Sequence, residues 1–190
     1  MFTIFEKKIT VFSDFDGTLI KEQSGFMLVF SYIIEKKKEK SKRIKEGFKH
    51  FLKYIFDRNN SHLAEFVKDI DEKTLISVAK KLHFKQKWFE NIEEIKKKYN
   101  VNSVNVIIVS RNLKELIEIF IKLNKEELDK RKIKIVKVIA NTTKKRFLIF
   151  KNKIVQNNNK FEFLKGKEII YLGDADDNYL KEIVDEFFEC

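Results

Sequence analysis

Proline is absent from this 190-residue chain, so no kink, cis bond or turn in it rests on a proline ring. There is one cysteine, Cys190, which excludes an internal disulfide framework. Long apolar runs are also missing. The longest, Phe26 to Ile34, includes Ser31 and is about half of a bilayer span, so no membrane-crossing helix is expected. The N-terminus shows no basic segment leading into an apolar one, so no secretory signal is expected and a cytoplasmic protein fits best. Glycine is scarce, with five residues in all, which makes each one informative. Gly17 and Gly173 both flank acidic residues.

Hydrophobic residues make up 43% of the chain, enough for a globular core with a small insertion. The net charge is +11, from 40 Lys+Arg against 29 Asp+Glu. Such a charge is compatible with nucleic acid, an anionic substrate or a membrane surface. The lysine runs are interleaved with glutamate, as in Glu35-Lys-Lys-Lys-Glu-Lys40, which reads as solvated helix faces. Nucleic acid is therefore the rival partner, not the expected one.

The most informative stretch is Ile9-Thr-Val-Phe-Ser-Asp-Phe-Asp-Gly-Thr-Leu-Ile20. A short apolar run closed by a turn reads as a buried strand. Asp14 and Asp16 follow at its end. Two carboxylates there are costly to bury without compensation, and a hard divalent cation such as Mg²⁺ supplies it. A carboxylate can also be a nucleophile. One pentapeptide thus offers a nucleophile, a second carboxyl for acid–base work and a metal seat.

Three blocks follow along the chain. Residues 1–20 hold the first strand and the acidic turn. Residues 21–99 read as helical throughout. Ile44, Phe48, Phe51, Leu52, Ile55 and Phe56 share one helical face, as do Leu63, Phe66, Val67 and Ile70. The same spacing recurs at Leu75, Val78, Ala79 and Leu82, then at Trp88, Phe89, Ile92, Ile95 and Tyr99. Phe26–Ile34 is apolar nearly all round, so that helix is expected to be buried. Residues 100–190 alternate strand and helix: strand Val104–Val109, helix Leu113–Leu123 and strand Lys134–Ile139. A hairpin of Arg146–Phe150 and Ile154–Gln156 follows, then a short helix near Phe161–Leu164, and strands Glu168–Leu172 and Glu186–Glu189. Alternating β and α implies a doubly wound parallel sheet, with ligands beyond the carboxyl ends of its strands. Asp14, Ser110 and Gly173-Asp174 all fall there. Ser110 is expected at a helix start, where a hydroxyl and free N–H groups suit a phosphoryl oxygen; the plain alternative is helix capping by Ser110 or Asn112.

In order, Asp14-Phe-Asp16-Gly-Thr, Ser110, Lys160 and Gly173-Asp174 with its acidic followers resemble the four motifs of the haloacid dehalogenase superfamily of phosphatases. The helical block between the first two resembles the small cap of the phosphoserine-phosphatase-like branch. Val138-Ile-Ala-Asn141, leading into Phe147-Leu-Ile-Phe150, is similar to the segment after the second motif in that branch. The resemblance spans essentially the whole chain. It implies an α/β fold: a Rossmann-like, doubly wound, mainly parallel sheet formed by residues 1–20 and 100–190, with an all-helical cap inserted at 21–99.

The resemblance also implies roles. Asp14 attacks phosphorus and carries an aspartyl-phosphate, and Asp16 protonates the leaving oxygen and then activates water. Ser110 and Lys160 bind phosphoryl oxygens. Mg²⁺ is held by Asp14, the main-chain carbonyl of Asp16, Asp174 and a second acidic follower. The chain departs from the pattern in four places. The last metal partner falls on Asp177 or Asn178. Arg111 follows Ser110 where small glycines are usual, and is a candidate substrate contact, as is Glu22 after the first motif. Lys165 is the alternative to Lys160. No helix is expected after the last strand. The expected activity is hydrolysis of a small phosphorylated metabolite; the alternatives are a nucleic-acid-binding protein or polynucleotide-end phosphatase, and a non-catalytic relative that binds a phospho-ligand.

Overall fold

The structure, a computed structural model, describes residues 8–36, 70–142, 169–182 and 184–190. The expected hairpin at 146–156, the helix near Phe161–Leu164, Lys160 and Lys165, and the periodic segments from Ile44 to Val67 lie outside the described residues.

Five strands form one all-parallel sheet in the order β3-β2-β1-β4-β5. They are β1 (Lys8–Ser13), β2 (Ser103–Leu113), β3 (Ile133–Asn141), β4 (Ile170–Gly173) and β5 (Glu186–Glu189). Helix α1 (Ser24–Lys36) follows β1; α2 (Glu72–Ala79) and α3 (Gln86–Tyr99) precede β2. Helices α4 (Lys114–Leu123) and α5 (Lys125–Lys130) connect β2 to β3, and a 3₁₀ helix (Ala175–Glu182) connects β4 to β5. Chain order reverses on either side of β1, which is the doubly wound topology expected from the β/α alternation. The short α5 has no counterpart in the sequence reading: its six residues, KEELDK, bury only Leu128.

Alternate strand residues go to opposite faces of the sheet. Val11, Val104, Val106 and Ile108 join a core with Leu28 of α1, Leu75 and Val78 of α2, Trp88, Ile92 and Ile95 of α3, and Leu116, Ile117 and Phe120 of α4. Phe12, Ile107, Val109 and Tyr171 join a second core with Leu180 and Val184. Both faces are covered, which is why these strands read as continuous apolar runs. The register between β2 and β3 shifts so that Val136 is skipped, and that bulged residue is left exposed.

Two expectations change. Helix α1 was expected to be buried; Leu28 is buried but Phe30 is 54% exposed. Strand β2 was expected to end at Val109. It runs on to Leu113, which pairs with Asn141 after an irregular stretch. Helices α2 and α3 pack their apolar faces into the same core as the strands.

Candidate active site

Asp14 is the first residue past β1, and its peptide is held from both sides. Its N–H donates to the Leu172 carbonyl of β4 at 3.0 Å. Its carbonyl accepts from Ser13 Oγ at 2.7 Å, and Ser13 Oγ in turn accepts from Trp88 Nε1 at 2.9 Å. Trp88 and Ser13 are both fully buried, so a core residue of α3 fixes the backbone of the first aspartate. Phe15 points into the core and meets Phe120 edge-on at 5.7 Å. Anchoring Phe15 leaves its neighbours Asp14 and Asp16 to face away from the core.

Gly17 sits at φ +72°, a region costly for any residue with a Cβ. A Cβ there would also lie 2.7 Å from Asp174 Oδ2, so the turn and the end of β4 touch at this point. The Gly17 carbonyl accepts from Lys85 Nζ at 2.7 Å, and the same ammonium donates to the Cys190 carbonyl at 3.1 Å. Lys85 thus ties the acidic turn to the start of α3 and the end of β5.

The carboxylates of Asp14, Asp174 and Asp177 converge, with one oxygen of each within 4.8 Å of the others. A 3₁₀ helix has about three residues per turn, so its first turn stacks residue 177 over 174. The Asp177 N–H accordingly donates to the Asp174 carbonyl at 3.0 Å. Gly173 lets Asp177 come close, since a Cβ on it would lie 2.8 Å from Asp177 Cβ. Tyr171 then donates its hydroxyl to Asp177 Oδ2 at 3.1 Å. Asn178, the alternative fourth partner, is exposed, whereas Asp177 is buried. Asp14 and Asp177 are only 5% and 3% exposed. Like charges so close and so buried repel unless a cation joins them, and an all-oxygen donor set fits a hard divalent ion.

Asp16 faces elsewhere. Its Oδ1 accepts from the Ser24 N–H at 2.7 Å and Ser24 Oγ at 2.6 Å, and its Oδ2 accepts from Asn112 Nδ2 at 2.8 Å. Ser110 is buried at the end of β2, and its Oγ accepts from the Asn112 N–H at 3.1 Å. Because β2 continues to Leu113, Ser110 does not start a helix; the residue flanking α4 is Leu113, which has no capping side chain. The Leu113 N–H is taken by Asn112 Oδ1 at 2.7 Å. Two backbone donors expected for an anion are thus used internally. The Ser110 hydroxyl, accepting through a lone pair, keeps a proton to donate. Arg111, between them, is exposed.

Glu22 is bound to His83. It accepts from the His83 N–H at 2.9 Å and contacts His83 Nδ1 at 2.8 Å. Burial raises its carboxyl pKa, but the His83 backbone and ring hydrogen bonds outweigh this and leave it below the ordinary value. Ser24, Lys85, Trp88 and Tyr171 had no assigned role in the sequence reading, and Asn112 had only that of a helix cap. One signal was available for Asn112: two residues after Ser110 in a strand, it lies on the same face.

No family model matches the sequence, and neither does any curated protein. Solved structures do match. A phosphoserine phosphatase in its apo form is 15% identical, covering 97% of this chain and 94% of its own, with a TM-score of 0.57. A phosphoserine phosphatase solved as a phospho-aspartyl intermediate analogue is 18% identical over 97% and 94%, with a TM-score of 0.56. A phosphoserine phosphohydrolase-like protein from Francisella tularensis subsp. tularensis SCHU S4 is 20% identical over 96% and 87%, with a TM-score of 0.54. The chain therefore has the α/β fold of these phosphatases, as the motif resemblance implied.

Proposed function

We propose that this protein is a Mg²⁺-dependent phosphatase of the haloacid dehalogenase type that hydrolyses a small phosphorylated metabolite through an aspartyl-phosphate. The observation that carries the reading is the convergence of Asp14, Asp174 and Asp177 beyond the strand ends, with Asp16 and Ser110 joined to each other through Asn112. Asp14, Asp174, Asp177 and the main-chain carbonyl of Asp16 would hold the ion, which when bound offsets negative charge on the transferring group.

An Asp14 carboxylate oxygen attacks phosphorus, and the bond to the leaving oxygen breaks as Asp16 gives that oxygen a proton. Water then attacks the aspartyl-phosphate and gives a proton to Asp16. Phosphate leaves and the Asp14 carboxylate is restored. Ser110 donates its hydroxyl to a phosphoryl oxygen, and Lys160 is assigned the matching cationic contact. Arg111 is assigned to the rest of the substrate. Glu22 is a weaker candidate for that contact, given its bonds to His83.

The inserted helical cap is proposed over residues 21–99, between the acidic turn and β2. No helix among the described residues is long and apolar enough to cross a membrane, and a cytoplasmic site of action is part of the proposal. A metabolite is favoured over a polynucleotide because, among the described residues, a cleft lined by Lys96, Lys97, Lys130, Arg131 and Lys132 together with Glu93 and Glu127 lies where β2 and β3 begin, at the other end of the sheet from Asp14. The test is a panel of phosphometabolites and aryl phosphates assayed with Mg²⁺, with EDTA, and with Asp14→Asn. Turnover that needs Mg²⁺ and is lost in the variant is expected. Undiminished turnover in Asp14→Asn would sink the mechanism.

A further inference from the structure

We propose that Asn112, acting with Ser24, is a positioning residue that aims the Asp16 carboxylate; this rests on the reading of Asp16 as the acid–base group. Three donors from two residues, Ser24 and Asn112, hold that carboxylate at 2.6–2.8 Å, and the two residues lie in separate parts of the chain. Ser24 begins α1, and Asn112 lies near the end of β2, 96 residues from Asp16. Both partners are buried, Ser24 fully and Asn112 at 4% exposure.

The amide of Asn112 has no freedom to turn over. Its Oδ1 accepts from the Leu113 N–H, which places the nitrogen on the other side. One Nδ2 proton goes to Asp16 Oδ2 and the other is directed at Ser24 Oγ. Ser24 Oγ donates its own hydrogen bond to Asp16 Oδ1. Amide, hydroxyl and carboxylate therefore form a closed ring in which every orientation is set by its neighbour. A carboxylate bonded at both oxygens cannot rotate about its χ2 angle, so it keeps one direction.

The reaction uses Asp16 twice, first for the leaving oxygen and then for water. A group that must meet two different partners gains from fixed orientation, since a misplacement of about 1 Å can cost on the order of 100-fold in rate. Ser110 and Asn112 share one face of β2, so the strand that supplies the phosphate hydroxyl also aims the acid–base group. Ser24 carries this link to the first turn of α1, the segment that leaves the sheet directly after the acidic turn.

The test uses the full-length protein with Mg²⁺ and p-nitrophenyl phosphate, in rapid-quench and steady-state modes. Nitrophenolate leaves readily, so phosphorylation of Asp14 depends little on Asp16, whereas water activation depends on it. In Asn112→Ala, kcat is expected to fall about 10- to 100-fold while kcat/KM changes by less than about threefold, because slower hydrolysis of the phosphoenzyme lowers kcat and KM together. A burst of about one nitrophenol per enzyme should precede the slow phase, and the trapped phosphoenzyme should be sensitive to hydroxylamine. Ser24→Ala should show the same pattern in weaker form, and Ser24→Thr, which keeps both donors, should restore most of the lost rate. The double Ala variant should be less than additive, because the two side chains share the Ser24 hydroxyl.

Wild-type kcat in folded Asn112→Ala, or a lowered kcat without accumulated phosphoenzyme, overturns the positioning role while leaving the phosphatase reading intact. If Asn112→Ala does not fold, Ser24→Ala against Ser24→Thr decides the matter by the same burst. Absence of phosphoryl transfer from p-nitrophenyl phosphate to Asp14 in the wild-type protein removes both readings together.

Discussion

Replacing Gly17 by alanine tests the geometry of the site in two independent ways. The first is backbone strain. At φ +72° a residue with a Cβ is disfavoured by roughly 1–2 kcal/mol. For a chain of this size about 1 kcal/mol corresponds to roughly 2–4 °C in Tm, so a fall of roughly 2–8 °C is expected. The second is displacement. The new Cβ would start 2.7 Å from Asp174 Oδ2, whereas ordinary contact begins at 3.4 Å. The Asp174 carboxylate must therefore retreat by about 0.7 Å or swing aside. Mg²⁺ accepts ligands near ~2.0–2.1 Å in near-octahedral order and tolerates no such shift. Its affinity should fall at least about 10-fold, or about 1.4 kcal/mol. Scanning calorimetry reads the strain, and a Mg²⁺ titration followed by heat or by activity reads the displacement. Gly173→Ala is the control. Gly173 has no left-handed φ, and a Cβ there would press on Asp177 and Tyr171 instead. It should weaken Mg²⁺ binding without the left-handed strain. A Gly17→Ala protein with wild-type Tm and wild-type Mg²⁺ affinity would refute the reasoning about this turn.

Trp88→Phe removes the donor to Ser13 Oγ while keeping most of the buried ring, and should cost about 1–2 kcal/mol in urea unfolding with a lower kcat; unchanged stability would show that the Trp88–Ser13–Asp14 relay carries nothing. The Cys190 thiol is pushed up to about 11, first by burial, which the Asn91 hydrogen bond only partly offsets. At pH 8 on the order of one thiol in a thousand is then thiolate, so iodoacetamide should label the native protein far more slowly than the urea-unfolded chain; equal rates would contradict this. Glu22 has a folded pKa below its ordinary 4.5, so its pairing with His83 contributes stability above that pH, lost as pH falls through the folded value. Glu22→Gln should flatten the corresponding part of the acid-unfolding curve, and an identical curve would mean that the pair is energetically silent.

Local sequence determined the parts of this protein that depend only on neighbours in the chain. Val106-Ile-Ile-Val109 could only be a strand covered on both faces, and Trp88, Phe89, Ile92 and Ile95 could only share one side of a helix. Asp14 at the end of one apolar run and Asp174 at the end of another implied a meeting, because parallel strands bring their carboxyl ends to one edge. What followed from contacts between distant segments was not legible. The approach of the Asp177 carboxylate to Asp14 and Asp174 depended on a 3₁₀ turn and on the space left by Gly173. The run of β2 past Ser110 depended on pairing with Asn141 of β3. Helix α3 joined the sheet because Trp88 found Ser13, 75 residues away. Asn112 read as a capping residue because its partners, Asp16 and Ser24, are close only once β1 and β2 lie side by side. Residue type and period determine which way a side chain faces along its own element; which group it meets there is decided by the packing of elements far apart in the chain.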